Sequence, residues 1–183
     1  MALIAQKNVR LLDGRSLLLR APEKEDAADC IQYLKQVGGE TDFLLADENG
    51  IPGLTEESEK AYLQSVLDQP RAAMILALCD GEIVGISEIR ASGHPRMFHN
   101  AGLAISIKKA YWGLGIGSLL MQEMIDFAIA TQGVTRLRIE VFADNARAIG
   151  LYKKFGFTEC GSRHDYFSVR GTYHDELLLE KSL

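Results

Sequence analysis

A chain of 183 residues, 47% hydrophobic and 25% charged, can bury one ample core, and no composition shift or repeat divides it, so residues 1–183 are expected to form a single domain. Its 20 basic and 25 acidic residues give a net charge of −5, the wrong sign for a typical nucleic-acid binder. The longest apolar run, Ala72 to Cys79, is too short to cross a bilayer, and Lys7, Asn8 and Arg10 stand where a signal peptide needs an apolar stretch, so neither membrane nor export is expected.

In chain order, Arg15 to Arg20 reads as a short strand, and Pro22-Glu23 opens a helix reaching about Val37. From Glu40 to Glu59 there are seven acidic residues and no Lys or Arg. That segment reads either as a solvated loop with Thr55 as the N-cap of a helix over 56–67, or as an acidic rim that draws a cationic substrate. Ala72 to Cys79 and Glu82 to Arg90 are two strands joined by Asp80-Gly81, a strong hairpin signal. His99 to Lys108 is a further strand. The clearest helix is Ile116 to Gln132, with Leu119, Leu120, Met124, Phe127 and Ala128 at helical spacing and Gly133 as its left-handed cap. A strand over 136–142, a short helix over 145–155 closed by Gly156, and strands over 157–167 and 173–180 turning near Arg170-Gly171 complete the chain. The order implies a mixed α/β fold with helices covering a sheet.

Cys30, Cys79 and Cys160 are odd in number and widely spaced, and the four histidines stand in no ligand spacing. Reduced thiols, a cytoplasmic setting and no metal are therefore expected.

Chemistry concentrates in two motifs. Residues 111 to 118 read Tyr-Trp-Gly-Leu-Gly-Ile-Gly-Ser, directly before the strongest helix. Gly113, Gly115 and Gly117 let the backbone bend and approach a ligand closely, and the free N–H groups of a helix start suit a pyrophosphate. Lys108 and Lys109 precede the loop and could add positive potential. The dinucleotide fingerprint fails, because its last glycine would fall on Ser118 or Leu120, and no Gly-Lys-Ser/Thr makes a nucleoside-triphosphate loop. Residues 144 to 157 read Asp-Asn-Ala-Arg-Ala-Ile-Gly-Leu-Tyr-Lys-Lys-Phe-Gly-Phe. Asn145 fits an N-cap whose amide could also meet a ligand, and Ala148, Leu151, Tyr152 and Phe155 share a face. Spacing alone makes Tyr152 a packed core residue.

Together the loop and the Asn-x-x-Ala-x-x-x-Tyr-x-x-x-Gly-Phe stretch resemble the GNAT superfamily of N-acetyltransferases in order and separation. The resemblance runs from Leu17 onward and is sharp over His99 to Phe157. Trp112 departs from it, standing where the family's loop carries Gln or Arg. The resemblance implies a mainly antiparallel central sheet of about seven strands flanked by about four helices. It implies acetyl-coenzyme A as co-substrate, with pantetheine along Ile105, Ser106 and Ile107, and pyrophosphate contacts from Gly113, Leu114, Gly115, Ile116, Gly117 and Ser118. Asn145 and Lys154 would hold other parts of the coenzyme. It further implies Tyr152 as proton donor to the leaving thiolate and Glu140 as general base, with Glu88 or water as alternatives. Phe43, Glu88, His99, Tyr173 and Asp175 fall where such proteins build the acceptor pocket. The expected partner is a small-molecule or peptide amine, and the expected assembly a monomer or homodimer. A non-catalytic acetyl-coenzyme A sensor is the alternative function, one with no need of Tyr152 or Glu140.

Overall fold

In a computed structural model, which describes residues 4–183, eight strands and four helices follow one another. They are β1 (Lys7–Arg10), β2 (Ser16–Arg20), α1 (Ala27–Glu40), α2 (Glu56–Leu67), β3 (Ala72–Cys79), β4 (Glu82–Ala91), β5 (Asn100–Ile107), α3 (Ile116–Ala130), β6 (Arg136–Phe142), α4 (Ala146–Lys154), β7 (Thr158–Val169) and β8 (Thr172–Ser182). All strands join one sheet in the order β1-β2-β3-β4-β5-β6-β8-β7, antiparallel except for β5 with β6. The eighth strand is β1. With four residues, mostly exposed, at the sheet edge, it shows no apolar alternation to betray it.

Each face of the sheet carries its own core. On one, α3 and α4 press Ile116, Leu120, Met124 and Tyr152 onto Ile75, Val84, Leu137 and Ile139. On the other, α1 and α2 press Tyr33, Val37 and Leu63 onto Met74, Leu76 and Ile83. Covered on both sides, β3 needs no polar face, which explains its unbroken apolar run.

Local chemistry sets the element ends. Thr55 caps α2 by accepting the Ser58 amide at 3.2 Å. Helix α1 runs past the expected Val37 to Glu40, because Gly38 lets the loop backbone lie against it; a Cβ there would sit 2.3 Å from the Asp47 carbonyl. Helix α3 stops at Ala130, where Thr131 Oγ1 donates to the Phe127 carbonyl at 2.8 Å, and Gly133 turns the chain with φ +81°. Among the described residues no helix is long and apolar enough to cross a membrane.

One irregularity opens the sheet. Strands β5 and β6 pair only over Asn100, Ala101 and Gly102 against Arg136, Leu137 and Arg138. Beyond that point β5 stays bonded to β4 as far as Ile107, while β6 stays bonded to β8 as far as Phe142. The two strands therefore part, and the edge of β5 from Leu103 to Ile107 faces the gap without a strand partner.

Candidate active site

The glycine loop lies at the open end of this gap. Gly113 and Gly115 hold φ +82° and +90°, angles that side chains rarely adopt, and a Cβ on either would meet nothing within 4 Å. Gly115 caps α3 without a side chain, its carbonyl taking the amides of Ser118 and Leu119. The amides of Gly113 through Gly117 have no backbone acceptor among the described residues. An open cradle of free N–H groups on a helix start fits a pyrophosphate. Gly117 serves packing as well, since a Cβ there would lie 3.1 Å from Leu151 and 3.3 Å from Ile107.

Side chains around the cradle are partly committed. Lys154 Nζ reaches Ser118 Oγ at 3.1 Å, bringing a cation from the end of α4 to the loop. Asn145 Oδ1 accepts the Ala148 amide at 3.1 Å as the N-cap of α4. Trp112, in place of Gln or Arg, donates its indole N–H to the Ile107 carbonyl at 2.8 Å and so ties the loop to β5. Lys108 does not serve the loop: it is buried and paired with Glu82 at 2.5 Å. Along the parted edge, Ile105 and Ile107 pack on the α3 side, while Ser106 turns to the other face and meets the Tyr33 hydroxyl at 3.0 Å.

Tyr152 and Glu140 lie on opposite faces of the sheet. Tyr152 belongs to the core under α3 and α4, tilted against Phe157 at 6.1 Å, and its hydroxyl has no hydrogen-bond partner among the described residues. Burial pushes its phenol up to about 12, so it is a protonated donor at neutral pH. Glu140 alternates with the buried Ile139 and Val141 and faces the α1–α2 side. There a cleft of about 470 Å³ is lined by Glu88, Arg90, Gly102, Leu103, Ala104, Arg138 and Glu140. Glu88 is held by Arg90 at 3.1 Å and by the Tyr62 hydroxyl. Glu140 lies 3.6 Å from Arg163.

Sequence reasoning missed Arg163 and Glu176. Glu176, 1% exposed, sits across from Phe142 on β8 and binds Arg163 at 2.6 Å. Burial, with Glu140 nearby, raises its carboxyl above the ordinary range despite that partner. Phe43 packs edge-on against Phe142 at 5.7 Å, on the face of β6 that carries Glu140, but does not line the cleft. Neither does His99: it is exposed, at the closed end of the β5–β6 pair, where its carbonyl takes the Thr135 and Arg136 amides. Nor do Tyr173 and Asp175, which alternate away from Glu176. Tyr173 is 66% exposed, and Asp175 instead accepts from the Asp165 amide and bonds His164. His164, Asp165 and Asp175 crowd together on this exposed hairpin, away from the cleft.

Three carboxylates of the acidic segment are engaged. Glu40 accepts the Lys109 amide, Asp42 pairs with Arg170 at 3.1 Å and Glu56 with Lys60. Glu59 is buried on α2, where burial, then the charge of Glu88, raises its carboxyl.

Residues 40–157 match the Acetyltransferase (GNAT) family. The chain is 34% identical over 118 residues to the L-amino acid N-acetyltransferase AaaT of Escherichia coli, a match covering 64% of this chain and 73% of that one. It is 36% identical over 105 residues to the N-alpha-acetyltransferase RimI of Mycobacterium tuberculosis, covering 57% and 64%. Among solved structures, an acetyltransferase of the GNAT family from Streptococcus pneumoniae superposes with a TM-score of 0.86 at 36% identity, over 91% of this chain and 99% of that one.

Proposed function

The chain belongs to the Acetyltransferase (GNAT) family, acetyl-coenzyme A-dependent N-acetyltransferases, and on that premise we propose that it acetylates a primary amine held in the cleft between β5 and β6, by direct attack. The observation that carries this reading is the parting of β5 from β6 beside an open glycine cradle, with a protonated tyrosine on one face and a carboxylate on the other.

Acetyl-coenzyme A supplies an activated thioester. The free amides of Gly113 to Gly117, with Lys154 and Ser118, are the groups that would hold its pyrophosphate, and the unpaired edge of β5 offers hydrogen bonds to its pantetheine. An alkyl ammonium has a pKa of about 10.4 in water and must lose a proton before it can attack. Glu140 takes that proton. As the carbon–nitrogen bond forms, the nitrogen sheds its second proton through Glu140 to solvent, and as the carbon–sulfur bond breaks Tyr152 gives its proton to the departing thiolate and is reprotonated from solvent. Opposite faces suit these roles, since the base then meets the amine and the acid meets the sulfur.

The test is thiol release from acetyl-coenzyme A across a panel of polyamines, amino acids, aminoglycosides and ribosomal-protein N-terminal peptides, with the acetylated product identified by mass. Transfer to at least one amine is expected. Folded protein that binds the coenzyme yet acetylates none of them would return the chain to a sensing role.

A further inference from the structure

Helix α4 turns one face to the glycine loop. Arg147, Leu151 and Lys154 are four and three residues apart, so they share that face, and at about 1.5 Å per residue its ends lie about 10.5 Å apart. Each meets a different part of the loop. Lys154 reaches Ser118, and Leu151 packs so close that a Cβ on Gly117 would lie 3.1 Å away. The Arg147 guanidinium carbon sits 4.5 Å from the centre of the Trp112 ring. Trp112 is itself fixed, because its indole N–H donates to the Ile107 carbonyl at the end of β5. The two cations therefore bracket the free amides of Gly113 to Gly117, Arg147 at the β5 end and Lys154 at the Ser118 end. Nothing in the fold answers the Arg147 charge. It is exposed, with no ion-pair or hydrogen-bond partner among the described residues, and Asp144, the acid nearest to it in sequence, is taken by His174 at 2.9 Å. Arg147 also occupies the first turn of α4, where the helix dipole disfavours a cation. A guanidinium over an aromatic face keeps N–H donors free, in a rigid fork suited to phosphate oxygens.

We propose that Arg147, held over the Trp112 ring, binds the diphosphate of the coenzyme from the β5 end of the cradle, opposite Lys154. This rests on the proposed use of acetyl-coenzyme A. In the coenzyme the pantetheine arm joins the diphosphate directly, and Ile107, where the β5 edge ends, is the residue that holds Trp112. That adjacency assigns Arg147 to the diphosphate rather than to the phosphate on the ribose. A loop with Trp112 in place of Gln or Arg thus receives its guanidinium from α4, across the indole ring. Arg147 is a binding residue, and no proton of the reaction passes through it.

The experiment is calorimetry of coenzyme A and of dephospho-coenzyme A, which lacks the ribose phosphate, on wild type, Arg147→Gln and Arg147→Glu at low and high salt. Glutamine and glutamate are the same size, so a difference between the two variants reads charge alone. Arg147→Gln should weaken both ligands by about ten- to a hundred-fold, the size of a hydrogen bond to a charged group. Arg147→Glu should weaken them further, and both deficits should narrow as salt rises, because an exposed charge is screened. Ligand-free melting temperatures should stay at the wild-type value, since the side chain is exposed. Unchanged affinity in Arg147→Gln overturns the inference. So does equal affinity of the two variants, which would make Arg147 only a support for Trp112, and so does a loss seen with coenzyme A but not with dephospho-coenzyme A. Those results leave the proposed reaction standing, whereas a wild type that binds no coenzyme defeats the reaction itself.

Discussion

Replacing Tyr152 with Phe deletes one oxygen from a ring that is 6% exposed. The ring keeps its contact with Phe157, and because the hydroxyl has no partner among the described residues, its loss orphans no buried group. Stability should therefore change by less than about 1 kcal/mol. The rate should change far more. Losing a positioned general acid costs about 10²- to 10⁴-fold, or roughly 2.7–5.4 kcal/mol of barrier at 1.36 kcal/mol per decade. With its phenol pushed up to about 12, wild-type Tyr152 stays protonated through neutral and mildly alkaline pH, so the deficit should be constant over that range. The assay is initial-rate kinetics at saturating acetyl-coenzyme A, with KM for the coenzyme and the melting temperature measured in parallel. A kcat within about threefold of wild type would remove the hydroxyl from the chemistry. A fall in kcat matched by a collapse in melting temperature would make Tyr152 a packing residue only.

Glu140→Gln keeps size but cannot take the amine proton, so its deficit should shrink as pH rises toward about 10, where free amine becomes abundant; a deficit independent of pH would pass the base role to Glu88 or to water. Gly115→Val should abolish coenzyme binding by calorimetry while circular dichroism still reports a folded chain, because valine resists φ +90° and fills the open cradle. Unchanged affinity would reduce the loop to a turn. Burial, and then Glu88, holds the Glu59 carboxyl above its ordinary 4.5, so ionising it opposes folding at neutral pH. Glu59→Gln should accordingly raise the melting temperature at pH 8, and the gain should vanish as pH falls to about 4. An equal gain at both pH values would mean that charge is not the cause.

The parts of this protein legible in its sequence are those set by local chemistry. The glycine loop, the Asn145 cap, the Asp80-Gly81 hairpin and the long apolar strand each declare themselves within a few residues. The gap between β5 and β6 does not, because it depends on where two strands separated by a helix stop pairing. Strand β8 shows how parity hides. Leu177, Leu178 and Leu179 are apolar in succession, so alternation cannot reveal that Glu176 faces Phe142 while Tyr173 and Asp175 turn away. Arg163 was masked by a second effect: β7 shifts register on both sides of it, which defeats counting along the strand. The acidic segment reads as a rim in one dimension, and alternation could not show that three of its seven carboxylates, Glu40, Asp42 and Glu56, hold a backbone amide, an arginine and a lysine.

The central claim is that the parted edge of β5 and the glycine cradle together receive the coenzyme, and hydrogen exchange with and without acetyl-coenzyme A tests it most directly. Amides that face the gap without a strand partner exchange readily until something pairs with them. Binding should slow exchange across Leu103 to Ile107 and Gly113 to Ser118, with little change in β1, β2 or the β7–β8 hairpin. Coenzyme that binds while leaving both segments at their unliganded rates, or that protects a different part of the chain, would contradict the account.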